Sequence, residues 1–146
     1  MENYTFQKDI HTYAMTAASF PDGIEAAHLE LQARLPKNDR RHFYGVSWPD
    51  ENGSTIYKAA ASIMEDDGPV EGLETFTIRN GPYNTFYIKD YRKHTESIGE
   101  AFNILTKQHE VDPKGYCLEW YINENDVKCM VPLGTDYREF TGLNKE

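Results

Sequence analysis

The chain has 146 residues, and its 24 acidic and 15 basic side chains give a formal charge of −9. This length fits a single domain, and a surface this acidic disfavours general nucleic-acid binding, because phosphate contacts need basic side chains. The longest uncharged, mostly apolar run, Thr12–Pro21, is too short to span a membrane. The N-terminus lacks the pattern of a secretion signal and there are two cysteines, so we expect a cytoplasmic protein.

The first half of the chain is predicted to contain one helix among three strands. A strand is predicted over Ile10–Ser19, followed by an amphipathic helix over about Pro21–Leu35, in which Asp22 begins a capping box. The apolar residues of the helix recur on one face, so this face is expected to pack on a sheet. Two further strands are predicted over Arg41–Trp48 and Thr55–Met64.

The second half repeats this order after a linking strand over Leu73–Arg79. A strand over Tyr83–Lys89 precedes a helix over about Thr95–His109, which carries the i, i+3, i+4, i+7 spacing of a buried stripe. Strands over Gly115–Asn123 and Asp126–Leu133 complete the pattern, and turn residues rich in Gly, Pro, Asn and Asp separate them.

The two halves, at about 4–66 and 70–133, can be aligned on each other. Phe43–Pro49 matches Cys117–Asn123, and Tyr57–Ala61 matches Val127–Val131. The sequence therefore predicts an α+β fold of duplicated strand–helix–strand–strand units, with an antiparallel sheet, two helices and a pseudo-twofold axis. Each half is expected to bury its helix-facing sheet surface separately. The other sheet surfaces would then meet or flank a central cleft, a common place for a ligand site.

The last two strands are predicted to form a hairpin in which Asn123 pairs with Asp126. In this register Leu118, Trp120 and Ile122 face Val131, Cys129 and Val127 and pack on the second helix. Glu119 and Tyr121 then lie on the opposite face with Met130 and Lys128. The same register places Cys117 and Cys129 on opposite sides of the sheet, which argues against a disulfide.

Glu119 is the strongest candidate site residue, and two interpretations remain open. It is either a solvated glutamate on an open sheet face or a carboxylate on a cavity floor beside Tyr121 and Met130. In a cavity its pKa would rise unless a cation compensates, and a ligand cation would be held by the carboxylate and by aromatic faces together. A structural ion pair with Lys128 is a rival interpretation.

Other candidates are weaker. For Tyr83 and Tyr87, pocket lining and ordinary core are equally open, and Tyr13 fits either role. Trp48 and Tyr57 are interpreted mainly as core, and His28 as a helix-surface residue. The five histidines do not cluster with the cysteines, so no metal site is expected, and the sequence shows no motif for a phosphate group or another cofactor.

Four segments resemble the GyrI-like small-molecule-binding family, which includes the effector-binding domains of AraC-type and MerR-type regulators. They are Val70–Tyr83, Ile98–Phe102, Glu119–Asn123 and Met130–Leu133. Their order and spacing extend the resemblance over about Tyr4–Leu133.

This resemblance implies an effector-binding domain over residues 1–133, with a central cleft, and a tail over 134–146. In the family, the glutamate of an E-x-Y segment is the pocket acid that meets cationic, lipophilic ligands, and here this position is Glu119, followed by Tyr121. The chain carries no helix-turn-helix segment, so direct DNA binding is not expected. It resembles the free-standing members, which are linked to ligand sequestration, gyrase protection or hydrolysis of cyclopropane-bearing toxins.

Three functional hypotheses follow. The first is a binding module for an aromatic or cationic molecule, with a role in transcription regulation or toxin protection. Its site would be formed by Glu119, Tyr121, Tyr87, Tyr83, Met130, Trp48 and Tyr13. The second is a hydrolase in which Glu119 is the general base and Tyr121 or Tyr87 orients an electrophile. The third is a protein-binding adaptor, such as a gyrase inhibitor, although the acidic charges are dispersed rather than grouped in a run.

Overall fold

The computed structural model describes residues 1–134, so the predicted tail beyond Gly134 lies outside the described residues. Within them the chain forms eight strands, two α-helices and one short 3₁₀ turn. In chain order these elements are β1 (Glu2–Phe6), β2 (Ile10–Thr16), α1 (Ile24–Arg34), β3 (Phe43–Pro49), β4 (Thr55–Ser62), β5 (Glu74–Ile78), β6 (Gly81–Ile88), the 3₁₀ turn (Tyr91–Lys93), α2 (Glu96–Leu105), β7 (Cys117–Tyr121) and β8 (Val127–Pro132). No helix among these residues is long and apolar enough to cross a membrane.

The strands form one antiparallel, curled sheet in the order β1-β6-β8-β7-β3-β4-β2-β5. The predicted α+β class, with an antiparallel sheet and two helices, is therefore confirmed. β1, which was not predicted, pairs with β6 of the second half, whereas β5 pairs with β2 of the first half. Each half thus supplies the edge strand of the other half.

The two halves join where β3 pairs with β7, and we call this junction the central seam. Three of its five residue pairs lie on one sheet face: Phe43 with Tyr121, Gly45 with Glu119, and Ser47 with Cys117. The pseudo-twofold axis exchanges the first pair with the third and places Gly45 in the position equivalent to Glu119. The strand register therefore agrees with the alignment of Phe43–Pro49 on Cys117–Asn123.

One face of the sheet carries both helices. Ala27 and Leu31 of α1 pack on β4, and the matching Ala101 and Leu105 of α2 pack on β8. Both leucines are fully buried, and each such burial stabilises the fold by about 2 kcal/mol. The helix α1 begins at Ile24 after Gly23 and has no side-chain cap, so the predicted capping box is wrong.

The opposite face of the sheet curls around a core of its own. Its fully or nearly fully buried members are Phe6, Ala14, Tyr44, Val46, Ala60, Ile78, Tyr83, Leu118 and Met130. The non-helical surfaces of the two halves thus meet in a closed core. The candidate site lies on the helix face instead, because that is the face to which Glu119 points.

The predicted register of the last hairpin is wrong by one residue. Glu119 pairs with Cys129, Trp120 with Lys128, and Tyr121 with Val127. The cause is the turn: the side-chain Oδ1 of Asn123 accepts bonds from the backbone N–H groups that follow it, which makes a three-residue loop. A one-residue shift exchanges the two faces of a strand, so Glu119 and Tyr121 share the helix face.

The corrected register also changes the expected positions of two other groups. Cys117 and Cys129 lie on the same face of the sheet, not on opposite sides, and both are free thiols. Lys128 points to the other face, where its ammonium lies 4.3 Å from the ring centroid of Tyr4 and 5.2 Å from that of Trp120. The Lys128 side chain is therefore not a partner of Glu119.

Candidate functional site

The candidate site lies on the central seam between the two helices. The helix α1 packs over β2 and β4, and α2 packs over β6 and β8, so β3 and β7 lie between them. Glu119 projects from β7 into this space and is only 9 % exposed. A buried glutamate is rare unless it has a partner.

Among the described residues, 1–134, the Glu119 carboxylate is bound by tyrosine hydroxyls alone. Its Oε1 atom accepts hydrogen bonds from the Tyr57 hydroxyl, at 3.2 Å, and from the Tyr121 hydroxyl. Within residues 1–134, its Oε2 atom accepts no hydrogen bond and no cationic side chain pairs with it. Burial raises the pKa of Glu119, and the two hydroxyl donors oppose this rise only in part.

Tyr57 connects this carboxylate to α1. Its hydroxyl lies 2.9 Å from Nε2 of His28 and 3.2 Å from the Tyr121 hydroxyl. Burial raises the pKa of Tyr57. Burial and the nearby Glu119 raise the pKa of Tyr121, and burial lowers the pKa of His28 to about 4. All three groups are therefore uncharged at neutral pH. We call His28, Tyr57, Glu119 and Tyr121 the carboxylate cluster.

Gly45 makes room for the carboxylate cluster. A β-carbon at this position would lie 2.9 Å from Oε1 of Glu119 and would collide with the hydroxyl of Tyr57. Only glycine lets the three groups meet at the seam. The pseudo-twofold axis therefore relates an acid to a residue with no side chain.

Aromatic rings surround the cluster. The Phe20 ring stacks on Tyr57 at 6.1 Å between centroids, and the Tyr91 ring lies 5.8 Å from Tyr121. The His28 ring meets Tyr121 edge-on at 5.3 Å. Phe20 is 47 % exposed, so the ring that stacks on Tyr57 lies at the protein surface.

A cavity of about 280 Å³ continues the seam away from the cluster. Ser47 and Cys117 line it. They form the residue pair adjacent to Gly45 and Glu119 on the same sheet face, about 7 Å along the strands. The remaining lining residues are Trp48, Pro49, Thr55, Thr106, Val111, Asp112, Pro113, Gly115, Tyr116 and Val131. The cavity thus offers a partly apolar space one residue pair from the carboxylate.

The structure brings together only Glu119 and Tyr121 of the seven predicted ligand-binding residues. Tyr83 and Met130 are fully buried in the core of the opposite face. Tyr13 packs beneath α1. The other two lie at the periphery: Trp48 stacks on Phe76 and lines the 280 Å³ cavity, and Tyr87 is 45 % exposed and donates a hydrogen bond to Asp126.

Sequence reasoning missed three members of the site. The sequence pattern indicates a surface position for His28 and a core position for Tyr57, and it gives no role to Gly45. Two signals point to them in retrospect. The alignment of the halves sets Gly45 against Glu119, and a buried tyrosine hydroxyl needs a polar partner. Within residues 1–134, no group of three or more His, Cys, Asp and Glu residues could hold a metal ion.

We expect His28 to make the protein less stable in acid. Its pKa is about 4 in the folded protein, against 6.5 for an ordinary histidine, so the unfolded chain binds a proton that the folded chain excludes. The free energy of unfolding should fall by about 1–2 kcal/mol as the pH drops through this range, after a discount for partial exposure.

The measurement is chemical denaturation at a series of pH values. The free energy of unfolding of the parent minus that of His28→Gln should become smaller towards low pH. The variant His94→Gln, at an exposed histidine, should show the same pH dependence as the parent. A constant difference across the range would contradict the assignment.

No family model and no curated protein matches this sequence. Solved structures do resemble it. An integron cassette protein, VCH_CASS2, from the mobile metagenome of Vibrio cholerae has 11 % identity and a TM-score of 0.66, with 91 % of this chain and 95 % of that chain covered. The protein SAV2435 bound to tetraphenylphosphonium has 9 % identity and a TM-score of 0.62, with 92 % and 93 % covered. A hydrolase from Listeria innocua has 10 % identity and a TM-score of 0.57, with 91 % and 90 % covered. At this identity the likeness shows the fold, and the fold fits the GyrI-like fold.

Proposed function

We propose that the chain is a GyrI-like small-molecule-binding protein whose carboxylate cluster binds a lipophilic, aromatic cation. The observation that carries the proposal is the buried Glu119 carboxylate, whose partners within residues 1–134 are all uncharged. An ionised carboxylate in such a place is costly without a counter-charge. A bound cation would supply that charge.

The surroundings of Glu119 suit an aromatic cation in particular. The unbonded Oε2 atom would face the positive charge, and the ring faces of Tyr57, Tyr121 and Phe20 would add cation–π attraction. The apolar body of the ligand would extend along the seam into the cavity beside Ser47 and Cys117. The tetraphenylphosphonium complex of the protein SAV2435 supports this ligand class.

The first test measures tetraphenylphosphonium affinity by titration calorimetry. We expect Glu119→Gln to weaken binding about tenfold or more, equivalent to about 1.4 kcal/mol or more, because the amide keeps the shape but loses the charge. The neutral triphenylphosphine oxide should bind both proteins alike. Glu100→Gln, at an exposed glutamate of α2, is the matched control. Equal affinity of the parent and Glu119→Gln for the cation would exclude this site.

Hydrolysis of strained electrophiles is the second candidate function. The observation in its favour is the pair of Tyr57 and Tyr121 hydroxyls on a glutamate whose burial raises its pKa, since such a carboxylate suits a general base. Tyr121 would orient the electrophile, whereas Tyr87 lies outside the cluster. Release of product beyond one equivalent from a cyclopropane-bearing substrate, lost in Glu119→Gln, would favour this function over simple binding.

We further propose that the protein acts in the cytoplasm by sequestering its ligand. The composition supports this role, since a charge of −9 disfavours direct contact with DNA. Regulation of transcription or protection of gyrase would then follow from ligand removal, and not from a nucleic-acid contact. Titration of the purified chain against duplex DNA at low salt, with no binding as the expected result, separates these routes.

A further inference from the structure

The titratable groups that face Glu119 from the described part of the chain, residues 1–134, are all neutral at neutral pH. The helix α1 contributes His28, β4 contributes Tyr57, β7 contributes Cys117 and Tyr121, β8 contributes Cys129, and the 3₁₀ turn contributes Tyr91. The facing strand β3 adds only the hydrogen of a glycine. Burial raises the pKa of each thiol and each of these phenols and lowers that of the imidazole, so none carries charge at neutral pH.

The hydrogen bonding of the two carboxylate oxygens is unequal. Both tyrosine donors meet Oε1, and Oε2 receives none within residues 1–134. This is the pattern of a neutral carboxylic acid, in which a carbonyl oxygen accepts two hydrogen bonds and the other oxygen carries the proton. An ionised carboxylate has equivalent oxygens and would gain by sharing its donors between them.

We propose that the empty site holds Glu119 as a neutral acid protonated on Oε2, and that a monovalent cation binds by exchange for this proton. This inference rests on the proposed function and adds to it how the charge of the bound cation is balanced. The O–H bond at Oε2 breaks, the proton passes to the buffer, and the ligand cation takes its place. The charge of the site is the same before and after binding.

The exchange also sets the charge of the ligand. The pseudo-twofold mate of Glu119 is Gly45, so the paired strands of the central seam offer one carboxylate and not two. Asp112 in the adjoining cavity is already paired with Arg79. A single carboxylate balances a single positive charge, and a dication would bring an uncompensated charge into a buried site. The ligand class is therefore a monocation with delocalised or shielded charge.

Exchange makes cation binding dependent on pH. Below the pKa of the empty site the cation competes with the proton, so its affinity should rise by up to about tenfold for each pH unit gained and then level off. Because burial raises the pKa of Glu119, the cation and the proton compete at pH values above those at which ordinary glutamates titrate. A cation whose carboxylate partner was already ionised would show no such rise.

The first arm of the experiment needs no ligand. The infrared C=O band of a protonated carboxylic acid is recorded at about pH 6, where ordinary glutamates are ionised. We expect this band in the parent and in Glu100→Gln, and its loss in Glu119→Gln. Absence of the band from the parent would overturn the proton assignment, whether or not any cation binds.

The second arm uses tetraphenylphosphonium in calorimetry at about pH 6, in two buffers with different ionisation enthalpies. We expect release of about one proton per bound cation by the parent, and none by Glu119→Gln. Binding that depends on Glu119 but releases no proton would overturn the exchange and leave the proposed function standing. No binding by the parent, with the infrared band present, would overturn the proposed function and the exchange, and would leave only the buried acid.

Discussion

Replacement of Gly45 by alanine is expected to destabilise the protein by about 3 kcal/mol and to abolish cation binding at the carboxylate cluster. The added methyl group would collide with the hydroxyl of Tyr57 and lie 2.9 Å from Oε1 of Glu119. Both neighbours are buried in the sheet, so neither side chain can swing into solvent. Relief of the collision would separate the hydroxyl from the carboxylate that it binds.

Chemical denaturation and tetraphenylphosphonium titration measure the two effects of Gly45→Ala. The control is Gly99→Ala in α2, where a β-carbon meets nothing within 4 Å, and a gain of up to about 1 kcal/mol is expected because alanine favours helices. Addition of Tyr57→Phe to Gly45→Ala removes the hydroxyl and should recover part of the lost stability. Strictly additive effects of the two substitutions would contradict a collision at this point.

Loss of Arg41 is expected to cost about 3–5 kcal/mol, because it would leave a buried carboxylate without its partner. The guanidinium of Arg41 and the carboxylate of Asp67 form two hydrogen bonds of 2.6 and 2.9 Å, and each side chain is 2 % exposed. Arg41 also donates to the backbone oxygens of Pro36 and Ser62. It therefore ties the end of α1 and the end of β4 to the start of β3, which carries Gly45.

The test is denaturation of Arg41→Met, with Arg40→Met at the exposed neighbouring position as the control. Hydrogen bonds from Arg41 hold the pKa of Asp67 below its usual range. The ion pair therefore stabilises the folded parent at pH values above the usual carboxylate pKa, and this stabilisation is lost as the pH falls through the lowered pKa of Asp67. Arg41→Met should lack this acid-dependent loss. The double variant with Asp67→Leu should be more stable than the single Arg41→Met variant, and a double variant that is less stable would contradict the assignment.

The repeated architecture could be predicted because its signals are local. The spacing of Ala101 and Leu105 marks the buried face of α2, and turn residues separate the strands of both halves. The strand β1 was not predicted because it is a short edge strand whose partner β6 lies far along the chain. Its residues alternate between polar and aromatic over only five positions, too few for the pattern to stand out.

The site was harder to predict than the fold. The sequence pattern singles out Glu119 but places it on the wrong sheet face, because the bend at Asn123 decides the register. The side-chain bonds of that bend cannot be seen in the hydrophobic pattern. The bonds from Tyr57 to His28 and to Glu119 join residues far apart in sequence. Local periodicity contains no information about such pairs.

The position of Gly45 opposite Glu119 explains what a single chain allows that two identical subunits would not. A symmetric homodimer of one half would place the same side chain on both sides of its axis, either two mutually repelling acids or two glycines and no acid. In a single chain the second half can have a glutamate at this position, Glu119, while the first half has a glycine, Gly45. A single chain thereby permits different side chains at two equivalent positions, which exact twofold symmetry would forbid.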